Sequence, residues 1–222
     1  GIPYEMELDG GISRQENPIA HAIKSLLIRG AVRYWSTGEQ TDRFYESFGI
    51  AKEEIQRYPF SSIFEREILS RPPSSEERAE AKQRLGIAQK QLVLSVGQSI
   101  HRKGYDLLIR AAALLPADVG VVVVGGNPRP EWSALMRELN VSNVSFVEFV
   151  PKDVLYEYYT AADVFVLPTR EDVWGLVINE AMARGVPVIT TDGCVAGCEM
   201  IQEGESGFLI PCETYEPLAG RI

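Results

Sequence analysis

Two groups of residues have the types and spacing to do chemistry. In LVLSVGQSIHRKGYDLLIRAAA (residues 92–113), an apolar run ends at Gly97, and a short loop carrying adjacent Arg102 and Lys103 precedes an amphipathic stretch that begins near Tyr105. Two cations between a strand and a helix can hold a diphosphate, because the first amides of a helix have no partner within it and attract anions. The same two charges also fit an ordinary solvated loop. In VFVLPTREDVWGLVINEAMARGVPVITTD (residues 164–192), an apolar run ends at Pro168 and the loop Arg170-Glu171-Asp172 follows. Gly175 then allows close backbone approach where a second helix opens its amides. On that helix Glu180 stands among Val177, Ile178, Ala181, Met182 and Ala183. A carboxylate in such surroundings either has a hydrogen-bonding partner or lies on the exposed edge.

The elements that must position these groups follow from the apolar pattern. From Leu92 onward, short runs (LVLSVG, VGVVVVGG, VSFVEFV, DVFVLP, PVITT, GFLIP) alternate with amphipathic stretches. Val121 to Val124 are apolar at every position, as in a strand covered on both faces, which is the mark of a parallel sheet with helices on each side. Helices are expected at Asp106–Leu115, Glu131–Leu139, Val154–Ala162, Leu176–Arg184 and Glu199–Gln202, giving a doubly wound α/β fold. Ligands of such sheets sit beyond the carboxyl ends of the strands. Ahead of this unit, RPPSS is a loop, and Ser74 with Glu77 forms a capping-box pattern that opens a helix through Leu85. Ile2 to Phe48 reads as strand, helix, strand, helix, with IPYEMEL ending at Gly10-Gly11. This reads as the tail of another α/β domain, of which the chain is expected to hold only part. The division expected is a remnant at residues 1–58 and a Rossmann-like domain at 59–222.

Bulk composition narrows the function classes. The formal charge of −9 argues against a nucleic-acid partner, so any phosphate must be met by a local basic cluster. Cys194, Cys198 and Cys212 are an odd set, which points to free thiols and a cytoplasmic, reducing setting rather than a disulfide framework. No apolar run reaches the ~20 residues that cross a bilayer. With only His21 and His101 as histidines and no fourth ligand beside the cysteines, a structural metal is not expected. No G-x-G-x-x-G, Walker loop or H-E-x-x-H string occurs. The aromatic cluster Tyr156, Tyr158 and Tyr159 reads as core packing and stays outside the site. The glycine-containing TDGCVAGCE (residues 191–199) reads as a loop.

The succession VGQSIHRKGYDLLIRA, VVVVGGN, FVEFVPKDVLYEYYTAADVFVLPTREDVWGLVINEAMARGVPVITTD and CEMIQEGESGFLIP resembles glycosyltransferase family 4 in order from Gly97 to Pro211. That family's enzymes have the GT-B architecture of two Rossmann-like domains. The resemblance implies a retaining transferase that takes a UDP-, GDP- or similar nucleotide sugar as substrate, with no metal and no other cofactor, and passes the sugar to a sugar, lipid-linked or other hydroxyl acceptor. It implies that Lys103 and a second basic residue neutralise the donor diphosphate. The family's acidic pair, eight positions apart, falls on Asp172 and Glu180. The first would contact the donor sugar and the second the ribose hydroxyls. Trp174, Gly175, Leu176 and Val177 would offer backbone amides, and residues around Gly125 and Val150 would line the nucleotide.

Two positions depart from the family pattern. Gln98 follows Gly97 where Arg is usual, so Arg102 is the expected substitute. Asp172 stands where Glu is common and is preceded by Glu171, so the first acidic role is shared between them. Two rival readings remain: a non-catalytic nucleotide-sugar-binding module, and a GT-B-type sugar-nucleotide epimerase, which EDVWGLVINEAMA disfavours. A location at the inner face of a membrane is left open.

Overall fold

A computed structural model describes residues 2–11 and 17–222. The chain divides into two compact units, Gly1–Ser61 and Ser62–Ile222. The first is a parallel three-stranded sheet, β1 (Glu5–Glu7), β2 (Arg33–Ser36) and β3 (Ile55–Arg57), with helices α1 (Pro18–Ile28) and α2 (Glu39–Ser47). Its small core gathers Ile28, Tyr34, Tyr45, Phe48 and Ile50. The expected strand, helix, strand, helix order is present, but the first strand is shorter than IPYEMEL. β3 was not foreseen; IQR is too brief and polar to show a period.

The second unit begins with α3 (Ser75–Arg84), whose N-terminus carries the expected capping box: Glu77 N–H donates to Ser74 Oγ, and Ser74 N–H donates to Glu77 Oε2. Six parallel strands follow: β4 (Gln91–Val96), β5 (Val119–Val124), β6 (Val144–Val147), β7 (Val164–Leu167), β8 (Val188–Thr191) and β9 (Gly207–Ile210). Between and after them run α4 (Tyr105–Ala112), α5 (Pro130–Glu138), α6 (Lys152–Ala161), α7 (Leu176–Ala183), α8 (Val195–Met200) and α9 (Glu216–Arg221). The strand order is β6-β5-β4-β7-β8-β9, so the winding reverses between β4 and β7. A ligand crevice belongs outside the carboxyl ends of those two strands. Every residue of β5 is buried, as its unbroken apolar run requires of a strand covered on both faces.

One expected element is displaced. Residues 191–199 are not a loop, and the helix expected at Glu199–Gln202 instead runs from Val195 to Met200. Packing overrides the turn character of this stretch: a Cβ on Gly197 would stand 2.3 Å from Thr190 Cγ2, so only glycine lets α8 lie this close to β8. No helix among the described residues is long and apolar enough to cross a membrane.

Candidate functional site

The carboxyl ends of β4 and β7 release two loops, residues 97–104 and 168–175, and backbone contacts lock them together. Arg170 N–H donates to Arg102 O at 2.8 Å, and Thr169 Oγ1 donates to the same carbonyl at 2.9 Å. Gly104 closes the contact with φ +69°; a Cβ there would fall 1.9 Å from Pro168 O. No other residue fits both the left-handed backbone and the space.

Arg170, left without a role by sequence, is the clamp of this junction. Its guanidinium reaches both oxygens of Asp106 on α4 at 2.8 and 2.7 Å, His101 O at 2.8 Å and Glu213 at 2.7 Å. Such a forked pair is geometrically demanding, and lysine could not reproduce it. Burial alone would raise the Asp106 carboxyl, but the Arg170 bonds and charge hold it below its ordinary value. His101 is exposed and contributes its carbonyl.

The other two cations face the acidic loop. Lys103 Nζ lies 2.6 Å from Asp172 Oδ2, and both side chains are only 12% exposed. Arg102 donates to Glu171 O at 2.6 Å and approaches Asp172 Oδ1 at 3.6 Å. The Asp172 carboxylate thus meets both cations, and the Glu171 carbonyl accepts from Arg102. Asp172 is fixed from behind, its N–H donating to Gly193 O at 2.8 Å and its carbonyl accepting from Val195 N–H at 3.2 Å. TDGCVAGCE thus abuts the acidic loop, although as a turn and a helix.

Beyond Asp172 the chain passes buried Trp174, whose indole N–H donates to Asn179 Oδ1 at 2.9 Å. Gly175 is the N-cap of α7 and makes no side-chain cap, so the first-turn amides at Leu176 and Val177 stay available to a ligand. Glu180 is half-buried on α7, one turn after Leu176 and so on the same face. It has a partner that the sequence did not reveal: Tyr159, fully buried on α6, donates from its hydroxyl to Glu180 Oε2 at 2.9 Å. Burial raises the Glu180 carboxyl above its ordinary value, and the Tyr159 bond offsets part of that rise.

The remaining expected residues lie along the same carboxyl edge. Gly97 N–H donates to Val124 O at 2.9 Å, which binds the end of β4 to β5, and Gln98 after it is exposed. Gly125 N–H donates to Val147 O at 2.9 Å, and Asn127 bonds Glu148 at 2.8 Å across the loops after β5 and β6. Val150 is half-buried just before α6. The candidate residues therefore occupy the ends of four neighbouring strands, β6-β5-β4-β7. The cysteines are free thiols, with Cys194 buried and donating to Trp174 O at 3.3 Å. A separate cavity of about 340 Å³, lined by Leu69, Arg71, Glu77, Glu80, Arg84 and Arg184 among others, includes none of these residues. Two of its arginines are already paired, Arg71 with Glu77 and Arg84 with Glu157.

The family model for glycosyl transferases of group 1 matches residues 77–222, which include the whole crevice. The chain belongs to the group 1 glycosyl transferase family. This group 1 chain is 33% identical over 212 residues to a D-inositol 3-phosphate glycosyltransferase of Nocardia farcinica, covering 87% of itself and 45% of that protein. It is 33% identical over 164 residues to the lipopolysaccharide glucosyltransferase WaaG of Escherichia coli, covering 71% of itself and 43% of WaaG. It thus spans about half the length of the curated relatives it matches. The crystal structure of Anabaena Alr3699/HepE in complex with UDP has a TM-score of 0.82 over 98% of this chain and 61% of that one, at 21% identity, a likeness of fold. The group 1 transferase therefore has the parallel α/β arrangement of GT-B enzymes implied by its sequence resemblance.

Proposed function

We propose that the crevice between β4 and β7 binds a nucleoside diphosphate sugar, and that the whole protein transfers the sugar to an acceptor hydroxyl with retained configuration. One observation carries this reading: Lys103 and Arg102 converge on Asp172 at the switch point of the sheet, beside the uncapped start of α7. Two cations and a row of amides suit a diphosphate, and an adjacent carboxylate suits sugar hydroxyls. On donor binding, diphosphate oxygens take the place of Asp172 on Lys103, and the freed carboxylate turns to the sugar. As the bond from the anomeric carbon to the β-phosphate oxygen breaks, the acceptor oxygen bonds that carbon from the same face, and its proton passes to an oxygen of the departing diphosphate. The electron pair leaves on the diphosphate. Arg102, Lys103 and the amides near Gly175 stabilise this charge without a metal. Glu180 accepts hydrogen bonds from the ribose diol, and the loops at Gly97, Gly125 and Val150 line the nucleoside.

The uridine nucleotide is the first candidate donor, since the HepE neighbour was solved with UDP. A guanosine nucleotide is the second. The acceptor is a hydroxyl of a sugar, polyol or lipid-linked glycan, in keeping with the names of the two relatives. Calorimetric titration with UDP and GDP, each with and without EDTA, tests the reading. Saturable binding of one nucleotide, unchanged by EDTA, is expected. Binding of neither, or binding lost in EDTA and restored by a divalent ion, would overturn it.

A further inference from the structure

Glu180 does not hold its own carboxylate in place; a residue of another helix does. The Tyr159 hydroxyl stands 2.9 Å from Glu180 Oε2 and 3.5 Å from the carbonyl of Val177. A phenol has one proton to give, and the nearer, charged acceptor takes it. Oε1 of Glu180 has no hydrogen bond among the described residues. The Tyr159 ring is fully buried and packs against Phe165 of β7 with centroids 5.8 Å apart, so the hydroxyl is delivered from a fixed mount.

The charged groups around Glu180 leave this bond as its main local support. Lys152, at the start of α6, favours the carboxylate, and Glu67, from the segment before α3, opposes it. These two bond each other at 2.5 Å, and Tyr156 also donates to Glu67 at 2.6 Å, so their fields oppose each other at Glu180. Burial remains as the force driving the carboxylate toward its neutral form.

We propose that Tyr159 is a positioning residue of the donor site: it fixes the Glu180 carboxylate through Oε2 and leaves Oε1 to accept from the ribose hydroxyls. The assignment rests on the reading of Glu180 as the ribose acceptor, and it adds a determinant on a different helix that never touches the nucleotide. Tyr159→Phe keeps the ring against Phe165 and removes only the hydroxyl, so Glu180 loses its donor while the core keeps its shape.

The test has two readouts on the full chain. The first is the titration of the Glu180 carboxyl by carbon-13 NMR in the ligand-free protein, assigned with Glu180→Gln. Its midpoint should move up by about one pH unit or more in Tyr159→Phe, the effect of losing one charge-assisted bond. An unmoved midpoint overturns the proposal. The second is calorimetry with UDP and with 2′,3′-dideoxy-UDP at several pH values. The fall of UDP affinity toward low pH should begin about one pH unit higher in Tyr159→Phe than in wild type, leaving it about tenfold weaker at acid pH, and the dideoxy analogue should bind both proteins alike. Equal losses for the two ligands beside an unmoved midpoint would mean a general structural effect and would contradict the proposal. A raised midpoint with no discrimination between the ligands would uphold the hold of Tyr159 on Glu180 and refute the ribose reading instead.

Discussion

The ammonium of Lys103 rests 2.6 Å from Asp172 Oδ2, on a carboxylate from a loop 69 positions away. A cation proposed for a diphosphate is thus already held by an anion, which keeps it in place until a stronger oxyanion arrives. Lys103→Ala should weaken UDP binding about ten- to a hundredfold and leave uridine binding nearly unchanged, since a bond to a charged group contributes roughly 1.5–3 kcal/mol. Asp172→Asn removes the competitor, so UDP should bind at least as tightly as to wild type. Calorimetry on both variants decides the matter; equal losses for UDP and uridine in Lys103→Ala would refute the phosphate role.

Gly104→Ala should destabilise the second unit. The left-handed backbone alone costs an alanine about 1–2 kcal/mol, and its Cβ would also strike Pro168 O. Thermal melts should show a clear fall, with UDP affinity reduced as well because the two loops can no longer close on each other. A melt identical to wild type would contradict the contact.

The Arg170 clamp makes a pH-dependent contribution. The folded-state value of Asp106 is held below the ordinary one, so its stabilisation is present above the ordinary carboxylate value and is lost as pH falls through the folded one. Arg170→Lys keeps the charge but not the fork. It should lower the melting temperature at neutral pH and flatten the loss of stability on acidification. An unchanged acid limb would mean that the pair adds nothing to folding.

How far these relationships were legible in the sequence depended on how local their causes are. The unbroken apolar run Val121 to Val124 was enough to place a doubly covered strand, because burial on two faces is written in every residue. The start of α3 was likewise readable, since Ser74 and Glu77 bond each other's backbone within one turn. α8 was misread because Gly193, Gly197 and the cysteines are poor helix formers. Its helix depends on close packing against Thr190, which no local pattern records. Arg170 sits beside two acids in sequence, yet its partners Asp106 and Glu213 are 64 and 43 positions away. For Tyr159, membership of an aromatic cluster read as core packing did mark a buried ring, but it left the residue outside the site and could not show what the hydroxyl at its tip would meet.

Glu180→Gln should alter stability and ribose recognition in opposite directions. Because the folded carboxyl is raised, the folded state binds more protons than the unfolded one between the ordinary and raised values, so wild-type stability falls as pH rises through that window. The glutamine variant lacks this loss and should be at least as stable at neutral pH, with a flatter profile. Its affinity for UDP should drop by roughly 1–3 kcal/mol, whereas 2′,3′-dideoxy-UDP, weak on wild type, should be nearly indifferent. In the resulting cycle of two proteins and two ligands, additive losses would remove Glu180 from the ribose site.

The most direct measurement is a crystal structure of this chain with UDP. The diphosphate should lie beyond the ends of β4 and β7, with a phosphate oxygen on Lys103 Nζ where Asp172 Oδ2 now lies. The ribose diol should meet Glu180 while Tyr159 still donates to that carboxylate. UDP bound elsewhere, or bound with the Lys103–Asp172 pair intact and Glu180 untouched, would contradict it.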